Sequence, residues 1–258
     1  MVKNAYIVTS AIEVDNNYPF DLETHNSFNM RSGISSIERF RQTICTVKLI
    51  KAADPQAKIY VVDASINYAI YEDLFKHFHY VEYFPVNKYD KEVAKTANRF
   101  PCKAYCELII KKLFIEEKIN ELENNYDFII KVSGRYTPLY NINELEKGKF
   151  LTTDARSWGN ITPLCIANPD LKIIDLTDKG EPELKYYSSA IFGFDANLLN
   201  YFYINILNKM LEITKNHWGI SYEMLLHYLL FPTKDMLVKE TNWKIFGFSG
   251  IGNIWSVA

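Results

Sequence analysis

The run Phe128-Ile129-Ile130-Lys131-Val132 leads straight into Ser133-Gly134-Arg135-Tyr136. Its β-branched and aromatic residues predict a short, mostly buried strand. Gly134 then lets the backbone turn, which delivers Arg135 to the carboxyl end of that strand. Ligands of open α/β sheets bind at that end. A guanidinium there suits a phosphate or a carboxylate, because its planar fork donates two parallel charge-assisted hydrogen bonds. The plainer alternative is a surface arginine that caps a strand edge. Lys131 could add a second positive charge, or, alternating with Ile130, simply face solvent.

Alternating strands and helices must position this junction. Ala5 to Ala11 reads as a buried first strand, and residues 13–33 as a long polar loop. Ser35-Ser36-Ile37-Glu38 offers an N-cap, after which Ile37, Phe40, Ile44, Val47 and Ile50 keep helical spacing up to Ala53. Asp54-Pro55 ends that helix. Lys58 to Asp63 predicts a second strand, Tyr68 to His79 a second helix, and Tyr80 to Val86 a third strand near an edge because of Pro85. A long helix opens at Pro101 and runs to about Glu123, just ahead of the Arg135 strand. In the second half, Phe150 to Thr153 and Tyr187 to Phe194 predict strands, Asn197 to Thr214 an amphipathic helix, and Ser221 to Phe231 another with Ser221 as N-cap. This order implies an α/β fold, a mostly parallel sheet with helices on both faces. One domain over residues 1–258 is the simpler organisation, with residues 1–140 and 141–258 as its two halves.

Composition removes several classes. The net charge of −2 comes from interspersed acids and bases, so no basic face advertises nucleic acid. Cys45, Cys102, Cys106 and Cys165 lack zinc-ligand spacing, and a disulfide framework is not expected. Thr9-Ser10-Ala11-Ile12 after the first strand is no G-x-G-x-x-G, and no G-x-x-x-x-G-K-[ST] occurs, which disfavours dinucleotide oxidoreductases and P-loop kinases. No acid or histidine cluster has the spacing of a metal-dependent hydrolase. The 18 tyrosines and 16 phenylalanines serve a core first, and also suit platforms for sugar rings. The first residues lack the apolar stretch of a signal peptide, and no run reaches membrane-spanning length. The expectation is a cytoplasmic protein, compatible with peripheral membrane association.

The segments ERFRQTICTVKLIKAADPQAKIYVVDAS, PCKAYCELIIKK and YDFIIKVSGRY together resemble GT-A-type glycosyltransferases of polysaccharide and lipooligosaccharide assembly. The closer likeness is to a bacterial and large-virus subgroup carrying K-x-S/T-G-R-Y. It covers roughly residues 5–140 and continues more loosely through YYSSAIFGF and HWGISYEMLL. The resemblance implies a GT-A-like, Rossmann-like domain that binds a nucleotide sugar and a glycan acceptor. In that fold the strand corresponding to FIIKV usually ends in an Asp-x-Asp motif that holds a divalent metal against the diphosphate. Ser133-Gly134-Arg135 stands there instead, so no metal and no other cofactor is expected.

The same resemblance assigns roles. The departing nucleoside diphosphate needs its negative charge stabilised, for which Arg135 and Lys131 are the first candidates. The nucleoside would lie over the ends of the first two strands, near Thr9, Ser10 and Asp63, although an aspartate such as Asp63 is also common in ordinary turns. Arg39 and Thr43 match the family's R-F-x-Q-T segment. Ser133, Gly134 and Ser189 complete the donor side. From the residues themselves, Lys103 could touch the donor, although helix-face lysines are most often merely solvated, and Lys244 could fold over it from the glycine-rich tail. Glu223 resembles the acid that serves as general base in inverting members, with Asp154 and Asp195 as substitutes. Glutamate is favoured in a helix first turn for dipole reasons alone, however. Asp154, Trp158, His217, Trp218 and Tyr222 would meet the acceptor sugar. A nucleotide- or glycan-binding protein of the same fold without turnover would keep Arg135 and Asp63 and could dispense with Glu223.

Overall fold

The architecture was obtained as a computed structural model that describes residues 2–13, 35–100, 102–139, 141–153, 156–157, 185–216, 222–248 and 255–257. Strand β1 (Asn4–Ser10) starts the chain, and helix α1 (Ser36–Ala53) is capped by the Ser35 hydroxyl, which accepts from the Glu38 N–H. They are followed by β2 (Lys58–Asp63), α2 (Tyr68–Phe75), β3 (Val81–Pro85), α3 (Val86–Tyr89), α4 (Lys91–Arg99), α5 (Lys103–Asn125), β4 (Phe128–Ser133) and β5 (Tyr136–Leu139). The second half contributes β6 (Phe150–Thr153), β7 (Arg156–Ser157), β8 (Lys185–Tyr186) and β9 (Ile191–Asp195). A helical stretch then runs through α6 (Leu199–Tyr201), a π-helical segment (Phe202–Leu207) and α7 (Asn208–Asn216). Helix α8 (Tyr222–Leu230), α9 (Lys234–Leu237), β10 (Val238–Thr241), β11 (Lys244–Phe248) and β12 (Trp255–Val257) complete the described chain.

Seven strands form one sheet in the order β10-β6-β9-β4-β1-β2-β3. All neighbours pair in parallel except β9, which runs antiparallel to both β4 and β6. The expected mostly parallel α/β sheet is therefore present, with β3 at an edge where Pro85 does no damage to a ladder. Alternation along β1 sends Ala5 and Ile7 to one core and Tyr6 and Val8 to the other. Val47 and Ile50 of α1 and Phe75 of α2 cover the second core, while Leu108, Phe114 and Leu122 of α5 cover the first. Strands buried on both faces explain why the central ones read as continuous apolar runs. Among the described residues no helix is long and apolar enough to cross a membrane.

Several expectations need correction. Helix α2 stops at Phe75 because Phe78 N–H bonds Phe75 O and Val81 N–H bonds Phe78 O, so tight turns take over before His79. Helices α3 and α4 were not foreseen; Asp90 starts α4 by accepting from the Glu92 and Val93 N–H groups. On α1, Ile37 is 65% exposed whereas Arg39, Thr43 and Thr46 are buried. That helix turns a partly polar face toward the ends of β1 and β5. The glycine-punctuated tail contains a strand: β11 pairs antiparallel with β5 in a separate three-stranded sheet.

Candidate active site

Register gathers the carboxyl ends of three strands. Thr9 of β1 stands opposite Ser133 of β4, and Ser10 stands opposite Asp63 of β2. The turn after β4 is pinned to this edge, because Gly134 N–H donates to Thr9 O at 2.8 Å. A Cβ on Gly134 would come within 3.1 Å of Thr9 O and 3.2 Å of Thr43 Oγ1. Glycine is needed here for close approach, and the only positive-φ glycine among the described residues is Gly148. Arg135 follows, half-buried, and makes no hydrogen bond or ion pair with any described residue. Burial pushes the neighbouring Tyr136 phenol up, the Arg135 charge opposes it, and the Glu223 and Glu107 charges push with burial. Both acids thus act on the ring next to Arg135.

Behind the edge lies a cluster of charges that sequence reasoning missed in part. Glu107 and Lys111 sit one turn apart on α5, their Oε1 and Nζ 3.0 Å apart. Lys131, 2% exposed, points from β4 toward α5 rather than to solvent, so the solvent-facing alternative is wrong. Its three protons have three partners: Glu107 Oε1 at 2.6 Å, Ser133 Oγ at 2.7 Å and the Ser189 carbonyl. Lys111 Nζ donates to Tyr222 Oη at 2.5 Å. Ser189, just before the reversed strand β9, donates its hydroxyl to Glu223 Oε1 at the start of α8. Glu223 Oε2 takes no hydrogen bond from a described residue.

Three groups of the cluster, Glu107, Lys111 and Tyr222, are shifted from their ordinary values. Burial works to raise the Glu107 carboxyl, but the Lys111 and Lys131 charges outweigh it and hold it well below the usual carboxylate range. Burial pulls the Lys111 ammonium down to about 7, against the attraction of Glu107 and with the repulsion of Lys131. Burial pushes the Tyr222 phenol up, and the Glu107 and Glu223 charges add to it. The clue in the sequence was a single lysine inside the apolar run FIIKV. A lysine in a strand covered on both faces needs a buried acid, and the E-x-x-x-K spacing of Glu107 and Lys111 on the preceding helix supplies one.

The remaining expected residues fall into four groups. Some are internal. Asp63 has no exposed surface; Oδ1 accepts from Ile12 N–H at 3.0 Å and Oδ2 from the Tyr83 hydroxyl at 2.7 Å. Arg39 is 6% exposed and donates to Ala11 O at 2.7 Å. Tyr222 is 3% exposed and anchors the start of α8 in the core. Others stand at the edge: Thr9, whose hydroxyl reaches Glu107 Oε1 at 3.4 Å, Ser10, 3.2 Å from Thr43 Oγ1, and Lys103, the first residue of α5. Two lie elsewhere. Exposed Lys244 pairs opposite Leu139, at the end of β5 away from Arg135. Asp195 pairs with Phe128 at the opposite, amino end of β4, with Oδ2 accepting from Gly148 N–H at 2.6 Å. Asp154, Trp158, His217 and Trp218 lie outside the described residues, as does the expected cap Ser221.

Among the described residues, the end of β4 lacks the Asp-x-Asp pair that the resembled family uses to hold a metal. Ser133-Gly134-Arg135 offers one hydroxyl and a cation where hard oxygen ligands would be required. Among the described residues no three histidines, cysteines or acids come together as a metal site.

No protein-family model matches the sequence, and no curated protein sequence matches it. Among solved structures the chain is similar to the galactosyltransferase LgtC in complex with donor and acceptor sugar analogues. That match has a TM-score of 0.45 and 9% identity, covering 88% of this chain and 70% of that one. It is also similar to the apo form of mouse xyloside xylosyltransferase 1, with a TM-score of 0.44, 9% identity, and 93% and 84% of the two chains covered. A third is 4-diphosphocytidyl-2C-methyl-D-erythritol synthase from Anaerococcus prevotii DSM 20548, with a TM-score of 0.45, 13% identity, and 98% and 92% covered. Likeness of this degree says nothing of chemistry.

Proposed function

We propose that this chain is a glycosyltransferase that moves a sugar from a nucleoside-diphosphate sugar to a glycan acceptor, with inversion and without a divalent metal. The observation that carries the reading is Arg135. Every other charged side chain of the cluster has a hydrogen-bond or ion-pair partner, whereas this guanidinium, half-buried at the carboxyl edge, has none among the described residues. A diphosphate is a partner that the fork of this guanidinium fits.

In this reading the acceptor hydroxyl oxygen attacks the anomeric carbon as the bond from that carbon to the diphosphate oxygen breaks. The nucleoside diphosphate leaves with the bonding electrons, and Arg135 stabilises the charge that develops on it. Glu223 takes the acceptor proton on Oε2, the oxygen left open when Ser189 holds Oε1. Thr9, Ser10 and Ser133 line the donor edge. Asp63 and Arg39 act from behind it, by fixing residues 11 and 12 after β1.

Calorimetry with UDP, GDP, dTDP and CDP tests the donor half. One of the four is expected to bind wild type and to bind Arg135→Ala at least tenfold more weakly. Equal affinity in a folded Arg135→Ala protein would return this arginine to the role of a strand-edge cap. A binding protein without turnover would pass this test and still release no nucleoside diphosphate from any sugar donor.

A further inference from the structure

We infer that Glu107 is a positioning residue that holds Lys131 against Ser189 and Lys111 against Tyr222, and thereby fixes the Glu223 carboxylate between them. The inference rests on the reading of Glu223 as the base.

Three donors converge on one oxygen: Glu107 Oε1 lies 2.6 Å from Lys131 Nζ, 3.0 Å from Lys111 Nζ and 3.4 Å from Thr9 Oγ1. From there two arms run toward Glu223. In one, Lys131 grips the Ser189 carbonyl, and the hydroxyl of the same serine donates to Glu223 Oε1. In the other, Lys111 grips the hydroxyl of Tyr222, the residue next to Glu223 at the start of α8. Ser189 lies outside any strand; Ser188 N–H donates to Thr153 Oγ1 at 3.2 Å and Ala190 O accepts from Ser133 N–H at 2.8 Å, and Lys131 holds the carbonyl between these two anchors. Lys131 also donates to Ser133 Oγ, but the Arg135 turn has its own anchor in the Gly134 N–H bond to Thr9 O at 2.8 Å.

Stability does not explain this arrangement. Removing several charges from water costs more than their mutual attraction returns unless the geometry is excellent, and apolar replacements of similar volume are often as stable. What the charges supply is a defined geometry across three separate elements, α5, β4 and α8. With all three protons of Lys131 in use, none remains for a diphosphate, which makes Lys131 part of the frame.

The test uses the full chain with Glu107→Gln, Glu223→Gln and the double variant. Release of nucleoside diphosphate is followed with UDP-glucose, UDP-galactose, GDP-mannose and dTDP-glucose, and each variant is crystallised. Glu107→Gln is expected to lower kcat roughly 10–100-fold and to leave the dissociation constant of the free nucleoside diphosphate within twofold of wild type. Added to Glu223→Gln it should cost nothing more, because residues that act as a unit are not additive. Losses that multiply would overturn the inference while the transferase reading stands. If no donor is turned over, or Glu223→Gln runs at full rate, that reading falls, and the crystal structure alone decides the positioning role. A Ser189–Glu223 hydrogen bond intact in Glu107→Gln would then refute it, and a broken one would support it. Should Glu107→Gln fail to fold, Lys131→Met carries the same expectations.

Discussion

Lys131 on β4 and Glu107 on α5 meet at 2.6 Å in the interface between sheet and helix, with Val132 and Ser133 between Lys131 and the turn that presents Arg135. Their contact joins the carboxyl edge of β4 to the Ser189–Glu223 pair at the start of α8. The Glu107 carboxyl is held down by the two lysine charges and the Lys111 ammonium is pulled down by burial.

Lys111 gives this cluster a pH signature. Below pH 7 the folded and unfolded chains both carry its proton, whereas between about 7 and the ordinary value of 10.5 only the unfolded chain does. Stability contributed by this group is therefore least below pH 7 and rises with pH, by at most about 1.4 kcal/mol per unit. Urea unfolding at pH 7, 8 and 9 should show wild type gaining on Lys111→Met as the pH rises. Parallel curves would mean that Lys111 keeps an ordinary proton affinity.

Gly134→Ala places a methyl group 3.1 Å from a backbone carbonyl, which cannot move aside as a flexible side chain can. Overpacking of this kind costs roughly 1–3 kcal/mol. Denaturant melts should show that loss, and donor turnover should fall with it because Arg135 is displaced. An alanine variant with wild-type stability would contradict the close approach.

Much of the scaffold could be read from the residues. Ser35 as the cap of α1, Lys58 to Asp63 as β2, Phe150 to Thr153 as β6 and Pro85 on an edge strand all follow from local chemistry, and all are seen. The sequence was silent where distant segments decide. Nothing local says that β9 runs backwards, yet this reversal carries Ser189 to the carboxyl edge and Asp195 to the other end. Burial of Asp63 needs Tyr83 and Ile12, which are distant in the chain. The meeting of Glu107 and Lys111 on α5 with Lys131 on β4 likewise depends on how helix packs on sheet.

Asp63 is expected to act through the loop after β1. Asp63→Ala leaves the Ile12 N–H and the Tyr83 hydroxyl without their acceptor, at about 1–3 kcal/mol for each group that stays buried and unpaired. Thermal and urea melts should register the loss. A fully stable Asp63→Ala protein with weakened nucleotide binding would instead make Asp63 a direct ligand.

Glu223→Gln should keep nucleoside diphosphate affinity and lose on the order of 10²–10⁴ in turnover, the usual worth of a general base. NMR of the product's anomeric configuration checks inversion independently. A normal rate in the variant would move the base to another acid, and Asp154 stands next in line.

The most direct test is nucleoside diphosphate release from the sugar-donor panel after exhaustive EDTA treatment, with wild type and Arg135→Ala side by side. The expected result is wild-type release unchanged by EDTA, with Arg135→Ala slower by at least two orders of magnitude and Arg135→Lys between them, since lysine keeps the charge and loses the fork. Activity that disappears with EDTA and returns with manganese, while Arg135→Ala works at full rate, would contradict it.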